Sequence, residues 1–266
     1  MEPVELIKEC RSGIVQISLE NERECLGSGT AFLVKGGIVT NSHILRSIPF
    51  DTFVIRFGNG KNNDFENEIR LSSENCMDAI VAESSENEKD FVFFSISKPE
   101  FNGRHIFELS DSSSLSVGEQ ILFMGYPFGS PYLTAHIGYV SSLHQNNGVE
   151  VIQIDGSVNS GNSGGPLIDL KTGKVAGIVT RAETGLLREQ FDRLLQALKD
   201  NKRILQRQQQ GGVRMSIGGI DPIGAIRDSQ VSMEQIVIQL RRSANVGIGF
   251  AFSVQYVKDE ISRLQK

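Results

Sequence analysis

The chain has 266 residues, of which 39% are hydrophobic and 22% charged, and its formal net charge is −5. These values are typical of a globular chain with one large domain and room for a modest insertion. The small negative charge gives no indication of nucleic-acid binding, and no apolar run approaches the roughly 18 residues of a membrane-spanning helix. We therefore expect no nucleic-acid partner and no association with a membrane.

Cysteine usage and the N-terminal residues bear on the cellular compartment. The three cysteines, Cys10, Cys25 and Cys76, are odd in number, widely spaced and without paired histidines. Disulfide and zinc interpretations are both weak, and free thiols in a reducing compartment are the simpler one. Residues 1–5 carry acid where a secretory signal carries base, and no apolar region follows them. The sequence therefore predicts a cytoplasmic protein.

Strand signals dominate the first 180 residues, with clusters of Gly, Asn or Ser between them. The apolar or alternating runs lie near residues 14–18, 30–34, 37–41, 52–57, 78–83, 91–96, 120–125, 133–142, 150–155 and 174–180. Many short strands with few helices favour a double barrel. The predicted fold is all-β, with two six-stranded barrels. The first covers about residues 1–110, and the second about 117–182 plus 246–266.

Helical periodicity replaces the strand pattern over residues 183–245. Two runs have apolar residues at a/d spacing, which predicts a helical hairpin inserted into the second barrel. The first run is Leu187, Phe191, Leu194, Leu198 and Leu205, and the second is Ile223, Ile226, Met233, Val237 and Leu240. Asp221 and Pro222 form a good N-cap and N1 pair for the second helix. Residues 254–264 also show helical spacing, which predicts a C-terminal helix packed on the second barrel.

The most informative segment is residues 161–167, GNSGGPL, in which glycines surround Ser163. A serine hydroxyl is a poor nucleophile until a base and oxyanion donors are placed beside it. The glycines permit a tight turn that aims the amides of Gly161 and Ser163 into one concavity. In isolation, an ordinary turn between strands explains such a loop equally well.

Two further segments supply the partners that a nucleophilic serine needs. An apolar strand leads into His43, and Asp90 stands at the entrance of another very apolar strand. The order His, Asp, Ser along the chain is that of the chymotrypsin class, whose triad is a standard template for this chemistry. Each residue alone has an ordinary structural explanation, but the three together predict a triad. Asp78 is the alternative acid.

Several segments resemble the HtrA (Deg) branch of the trypsin-like proteases. They are residues 27–30, 117–118, 124–129, 138–141, 152–155, 173–178 and 247–251, in colinear order. The similarity covers roughly residues 11–182 and 246–266. We expect a member without a PDZ domain, and residues 183–245 have no recognised counterpart in the branch.

The resemblance implies a serine endopeptidase that cleaves protein or peptide substrates through an acyl-enzyme, without a metal or cofactor. Ser163 would be the nucleophile, His43 the base and Asp90 the group that orients the imidazole. Asp90 is preferred to Asp78 because the strand at 78–83 then matches the strand that precedes the acid in HtrA-like proteases.

The oxyanion hole is expected in the loop of Gly161, Asn162 and Ser163. Secreted trypsins carry an aspartate before the nucleophile, and it pairs with a new N-terminus after cleavage. Asn162 cannot form that ion pair, so we expect no activation by N-terminal cleavage. If the activity is regulated, we expect a partner or ligand to activate the protein by ordering its loops.

Residues around the S1 pocket predict the preference for the P1 side chain. Ser157, six residues before Ser163, is expected at the base of the pocket, with no acid there to pair Lys or Arg. The backbone of Thr180, Arg181 and Ala182 is expected to form the wall and to pair with substrate as an added strand. A basic P1 residue is therefore disfavoured. The side chain of Arg181 either faces solvent or reaches the pocket and favours an acidic P1 residue.

A protease-fold binding module is the alternative function, with a hairpin that recruits a partner and with incidental catalysis. The segment 183–245 has ten Lys or Arg and seven Asp or Glu, a net charge of +3, which leaves −8 for the rest. A positively charged arm either packs on the negatively charged rest of its own chain or offers an apolar seam to a partner or a second copy. We expect a docking or regulatory arm.

Overall fold

The computed structural model describes residues 2–58, 65–86, 88–110, 115–182, 188–210, 221–243 and 247–264. The chain divides into two compact units. The first comprises Met1–Glu183 with Gly247–Lys266, and the second comprises Thr184–Val246. Every strand of the described residues belongs to the first unit, and two long helices belong to the second.

The N-terminal half of the first unit is a seven-stranded antiparallel sheet. Its strands are β1 Ile14–Glu20, β2 Cys25–Val34, β3 Gly37–Thr40, β4 Thr52–Gly58, β5 Phe65–Ser72, β6 Ile80–Ser84 and β7 Phe91–Phe94. They are ordered β5-β4-β1-β2-β3-β7-β6. Two short helices, α2 (Ser42–Arg46) and α3 (Ser73–Asp78), connect strands of this sheet.

This half differs in detail from the predicted six-stranded barrel, because it has a seventh strand and the edges of the sheet are β5 and β6. The strand β5, Phe65–Ser72, gave no signal in the sequence. Its residues FENEIRLS are mostly polar, and Ile69 is its only buried position. An edge strand with charged side chains lacks the apolar alternation on which strand prediction relies.

The C-terminal half of the first unit is a closed six-stranded barrel, in the order β10-β13-β12-β11-β8-β9. Its strands are β8 Gln120–Gly125, β9 Thr134–Asn146, β10 Val149–Asp155, β11 Pro166–Asp169, β12 Val175–Ala182 and β13 Ile248–Ser253. The last strand, β13, follows the second unit in sequence and pairs with both β10 and β12. The predicted fold class is confirmed, since the protein is mostly β with a closed six-stranded barrel and a C-terminal helix.

Helices at both ends of the chain pack on the strands of the first unit. The N-terminal helix α1, Pro3–Cys10, buries Leu6 and Cys10 in the cluster that also contains residues of both halves. The C-terminal helix α6, Gln255–Leu264, buries Val257 in the same cluster. A shared apolar cluster holds the two halves against each other, because separating them would expose it to water.

The second unit consists of α4, Arg188–Gln210, and α5, Pro222–Ser243. Asp221 caps α5 as expected, since its Oδ1 accepts hydrogen bonds from the amides of Ile223 and Gly224, both at 3.0 Å. The predicted glycine-rich connector, residues 211–219, lies outside the described residues. Among the helices that are described, none has the length and apolar character to cross a bilayer.

Candidate active site

Strand pairing brings His43 and Asp90 together. The strands β3 and β7 are antiparallel, with Thr40 opposite Val92, so the end of β3 lies beside the start of β7. Three residues after Thr40, His43 lies in the first turn of α2, and Asp90 immediately precedes β7. The two predicted site residues are therefore neighbours, although 47 positions separate them in sequence.

The carboxylate of Asp90 holds His43 at two points. Its Oδ2 lies 2.8 Å from His43 Nδ1, and its Oδ1 accepts the backbone amide of His43 at 3.0 Å. Asp90 is fully buried and has a left-handed backbone, with φ of 47°. Non-glycine residues adopt this conformation when local contacts hold it, and Asn41 supplies one by donating from Nδ2 to the Asp90 carbonyl at 2.7 Å.

Thr180 is the second side-chain partner of Asp90. Its hydroxyl donates to Asp90 Oδ2 at 2.5 Å, in a part of the molecule where both residues are buried. The register of β12 against β13 shifts between Val179 and Arg181, so Thr180 occupies a β-bulge. A bulge re-aims the side chain and carbonyl of the extra residue, which allows one strand residue to serve the acid and the serine.

The hydroxyl of Ser163 donates to the backbone carbonyl of Thr180 at 2.7 Å. No hydrogen bond joins Ser163 to His43 among the residues that the structure describes. The site therefore connects the three predicted residues through Thr180. A turn of the Ser163 side chain away from that carbonyl would be needed for a direct bond to the imidazole.

Two glycines shape the loop around Ser163. Gly161 and Gly164 have φ values of 97° and 83°, which disfavour any residue with a Cβ. A Cβ at Gly161 would also lie 2.3 Å from the Tyr126 carbonyl, and one at Gly164 would lie 2.1 Å from the Thr30 carbonyl. The loop thus needs glycine at both positions for conformation and for space.

The peptide before Gly161 is oriented by the backbone amide of Phe128, which donates to the Ser160 carbonyl at 2.6 Å. Because N–H and C=O point in opposite directions in a trans peptide, this bond turns the Gly161 amide the other way. Among the described residues, the amides of Gly161 and Ser163 have no acceptor. The amide of Asn162 instead donates to the Asn159 carbonyl at 3.0 Å, so it closes the turn.

Thr30 of β2 ties this loop to the N-terminal sheet. Its amide donates to the Ser163 carbonyl at 2.9 Å, and its hydroxyl donates to the Gly161 carbonyl at 2.6 Å. The same hydroxyl accepts from the Tyr126 amide at 3.0 Å. Sequence reasoning missed the roles of Thr30 and Asn41. The signals available were the position of Thr30 in the segment 27–30 and that of Asn41 two residues before His43.

The side chain of Asn162 is completely buried, and neither its Oδ1 nor its Nδ2 has a hydrogen-bond partner in the described part of the chain. Buried unpaired amide groups are costly and uncommon. The side chain is neutral, and its Oδ1 lies close to Gly125 of β8, where a Cβ would approach it to 3.0 Å.

The predicted specificity residues lie in two places. Ser157 is exposed in the segment after β10. Arg181 and Ala182 are at the end of β12, where they pair with Phe250 and Gly249 of β13. The side chains of Arg181 and Ala182 lie outside the described residues, so the predicted contact of Arg181 with an acidic P1 side chain stays a prediction.

A cavity of about 650 Å³ opens beside His43, and its lining contains no apolar residue among the described ones. Its lining residues are Ser42, His43, Arg46, Ser47, Glu83, Ser85 and Glu86. The Arg46 guanidinium donates to both Glu83 oxygens, at 2.9 and 2.6 Å, and this hydrogen bonding lowers the pKa of the Glu83 carboxyl. Ser42 also donates to Glu83 at 2.7 Å, so the pair braces the helix that carries His43.

The sequence model of the Trypsin-like peptidase domain family matches residues 27–178, more than half of the chain. The chain therefore belongs to this family of serine proteases. Its relatives place it near the HtrA branch. It is 33% identical over 168 residues to a probable periplasmic DegP-like serine endoprotease of Hahella chejuensis, covering 61% of this chain and 31% of the relative.

Two further comparisons agree with that branch. The chain is 32% identical over 193 residues to the chloroplastic Protease Do-like 5 of Arabidopsis thaliana, covering 69% of this chain and 56% of the relative. The solved HtrA-type protease AlgW, with tripeptide, superposes with a TM-score of 0.58 at 19% identity, covering 96% of this chain and 61% of that one. At this identity the superposition shows a shared fold. The chain spans about a third to a half of the length of its curated relatives.

The predicted cytoplasmic location is wrong, because the relatives carry periplasmic or chloroplastic names. Two of the three cysteines show how the sequence misled, and the third, Cys25, is exposed. Cys10 and Cys76 are buried free thiols, and burial raises the pKa of each to about 12. Such thiols are unreactive and persist in an oxidising compartment as well as in a reducing one. Their unpaired state therefore carries no information about location.

Proposed function

We propose that this chain is a serine endopeptidase in which Ser163 attacks the peptide carbonyl. His43 takes the serine proton on Nε2 and returns it to the leaving amine, while Asp90 orients the ring and stabilises its charged form. The observation that carries the proposal is the contact of the buried Asp90 carboxylate with His43 Nδ1 at 2.8 Å. This contact is the arrangement that an imidazole base requires.

The amides of Gly161 and Ser163 are the proposed oxyanion donors. Both lack acceptors among the described residues, and the bond from Phe128 to the Ser160 carbonyl turns the Gly161 amide outward. Two amides that are already oriented stabilise the developing oxyanion without reorganisation. In our proposal the backbone of Asn162 supports the turn between them.

The decisive experiment replaces the nucleophile. In Ser163→Ala we expect peptide hydrolysis and labelling by a fluorophosphonate to disappear, with a loss in kcat on the order of 10⁶. Stability should change by under about 1 kcal/mol, because one hydroxyl at the site is removed and the core is unchanged.

Ser160→Ala is the matched control, since it removes an exposed hydroxyl three residues away and should keep the activity. Hydrolysis that persists in purified Ser163→Ala would contradict the assignment. A wild-type chain that is folded but neither cleaves peptides nor reacts with the probe would favour the protease-fold binding module. The bond of Ser163 to the Thr180 carbonyl, which leaves the base unengaged, is the feature that fits this alternative.

The proposed P1 preference follows from Ser157 and the end of β12. With a small neutral residue at position 157, cleavage should follow small aliphatic residues, or acidic ones if Arg181 reaches the pocket. A peptide library measures this preference directly. Arg181→Ala should abolish any acidic preference, and a profile dominated by Lys or Arg at P1 would show that the pocket is misplaced.

We further propose that residues 1–182 with 246–266 form the protease domain and that residues 183–245 form a docking or regulatory arm. The arm begins directly after β12 in the sequence. Thr180 of β12 contacts both Asp90 and Ser163. Movement at the end of β12 would therefore reach the site through one strand.

A further inference from the structure

The hairpin of α4 and α5 buries only one side of each helix. Its apolar cluster contains Leu195, Leu198 and Val237, with Phe191 and Ile238 partly buried against them. Early residues of α4 thus meet late residues of α5, which makes the helices antiparallel. The seam differs from the predicted one, because Leu195 is buried where Leu194 was expected.

Of the seven large apolar side chains of the hairpin that are exposed outside this cluster, Val231 of α5 is 37% exposed and the other six are between 44% and 58% exposed. The six are Leu194 and Ile204 of α4, and Ile226, Met233, Ile236 and Leu240 of α5. Three of the α5 residues, Ile226, Met233 and Leu240, are seven positions apart. Such spacing is typical of a helix seam that packs on another helix.

Helix geometry places all six on the same side of the hairpin. Each residue of an α-helix is turned by about 100° from the last. In α5 the exposed stripe is centred about 90° from Val237 and Glu234, which face α4. In α4 the midpoint of Leu194 and Ile204 lies about 110° around the helix axis from the buried face. When each helix is viewed from its own N-terminus, the exposed residues of both helices are displaced from the buried face in the same rotational direction. Because the two helices are antiparallel, equal rotations place both sets of exposed residues on the same side of the hairpin.

This face, here called the apolar face and defined by the six residues above, carries little charge along α5. From Ser229 to Leu240 the only charged residue is Glu234, which pairs with Lys202 of α4 at 3.1 Å and has a side chain 13% exposed. Depletion of charge around exposed apolar side chains is the composition of an interface core. A charged partner would therefore find no opposite charge on this part of the face.

We propose that the apolar face binds the same face of a second copy, so that two hairpins form an antiparallel four-helix bundle. The second copy offers a surface of equal length and equal lack of charge, and a two-fold axis makes one patch serve both sides. A helix of 22 residues is about 33 Å long, and two helices side by side are about 20 Å wide. The face therefore offers about 650 Å² per copy, close to the roughly 800 Å² of a standard interface.

The test is the oligomeric state of the full chain, measured by sedimentation velocity from 1 to 100 µM. We expect wild type to dimerise, and Ile236→Glu to be monomeric with association weakened at least 100-fold. Gln235→Glu is the matched control, since it adds the same charge about 140° from the centre of the apolar stripe of α5 and should leave the dimer intact. Far-UV circular dichroism should show the same helix content in all three.

Several outcomes would overturn this proposal. They are a wild type that is monomeric at 100 µM, an Ile236→Glu variant that remains dimeric, and a monomer whose apolar face binds lipid vesicles. If Ile236→Glu loses helix content, the milder Met233→Gln replaces it with the same expected result. Met233→Cys in a Cys25→Ser background should cross-link copy to copy under oxidation, and absence of this cross-link in a dimer would place the contact elsewhere. This proposal deepens the docking role of the arm, and it is independent of the chemistry at Ser163, which the fluorophosphonate probe tests separately.

Discussion

At the scale of single residues, Thr180 joins the parts of the site. Its hydroxyl binds Asp90 and its carbonyl binds the Ser163 hydroxyl. The sequence predicts Thr180 on the wall of the substrate pocket, and its contacts in the structure add a positioning role that no local pattern indicates. An extended substrate that pairs with β12 would compete with Ser163 for the Thr180 carbonyl, and the displaced hydroxyl would then be available to His43.

Thr180→Val tests the positioning role, because it removes the hydroxyl and keeps the β-branched shape. A hydrogen bond to a charged group is worth about 1.5–3 kcal/mol. We therefore expect kcat/KM for a peptide to fall about 10- to 100-fold.

Thr180→Ser is the control for that change. It retains a hydroxyl at the same position and should keep most of the activity. Wild-type kcat/KM in Thr180→Val would show that the contact with Asp90 is only structural.

At the scale of elements, β9 contains a histidine whose environment predicts a pH-dependent stability. His136 stacks on Phe123 with ring centroids 4.7 Å apart, and its Nε2 is buried without a partner among the described residues. Burial lowers the pKa of His136 below the ordinary value near 6.5. Between that lowered pKa and about 6.5, the unfolded chain binds a proton that the folded chain does not.

The free energy of unfolding should therefore fall as pH drops from about 6.5 and level off below the lowered pKa of His136. His136→Phe keeps the stacked ring and removes the titration. We expect its stability to match wild type within about 1 kcal/mol at pH 7.5 and to exceed wild type below pH 6. Urea unfolding at both pH values measures this difference.

His105 serves as the internal reference for that experiment. Burial also lowers its pKa, and it remains in both proteins, so part of the pH dependence should persist in the variant. Parallel pH curves for wild type and His136→Phe would contradict the account of His136.

At the scale of the whole molecule, the prediction concerns the independence of the two units. Replacing residues 184–246 with a short Gly/Ser linker should leave the first unit folded, because its strands form one sheet and one closed barrel without the hairpin. The same deletion should abolish self-association and alter peptide cleavage, if the arm docks and regulates.

Thermal unfolding, peptide kinetics and sedimentation measure these properties separately. Unchanged cleavage, association and partner binding in a folded deletion would refute the regulatory role. An unfolded deletion would show that the hairpin packs on its own body.

The sequence by itself determined the features that depend only on residues close together in the chain. Glycines around Ser163, an apolar strand before His43 and another after Asp90 identify the candidate site, because each depends on neighbouring residues only. Alternation and helical periodicity likewise predicted most strands and three of the six α-helices that lie in the described residues. The polar strand β5 was missed because it is held by pairing with β4 in the sheet and has no apolar alternation of its own.

Only the tertiary structure decided which distant groups meet. The bond from Thr180 to Asp90 spans 90 positions, and that from Thr30 to Gly161 spans 131. Such contacts depend on the packing of two halves and on a bulge in β12, which no local pattern specifies. The same holds for the hairpin, where Leu194 and Leu195 fit an apolar helix face equally well. The rotation of α4 against α5 buries one of them and exposes the other, because adjacent residues on a helix point about 100° apart.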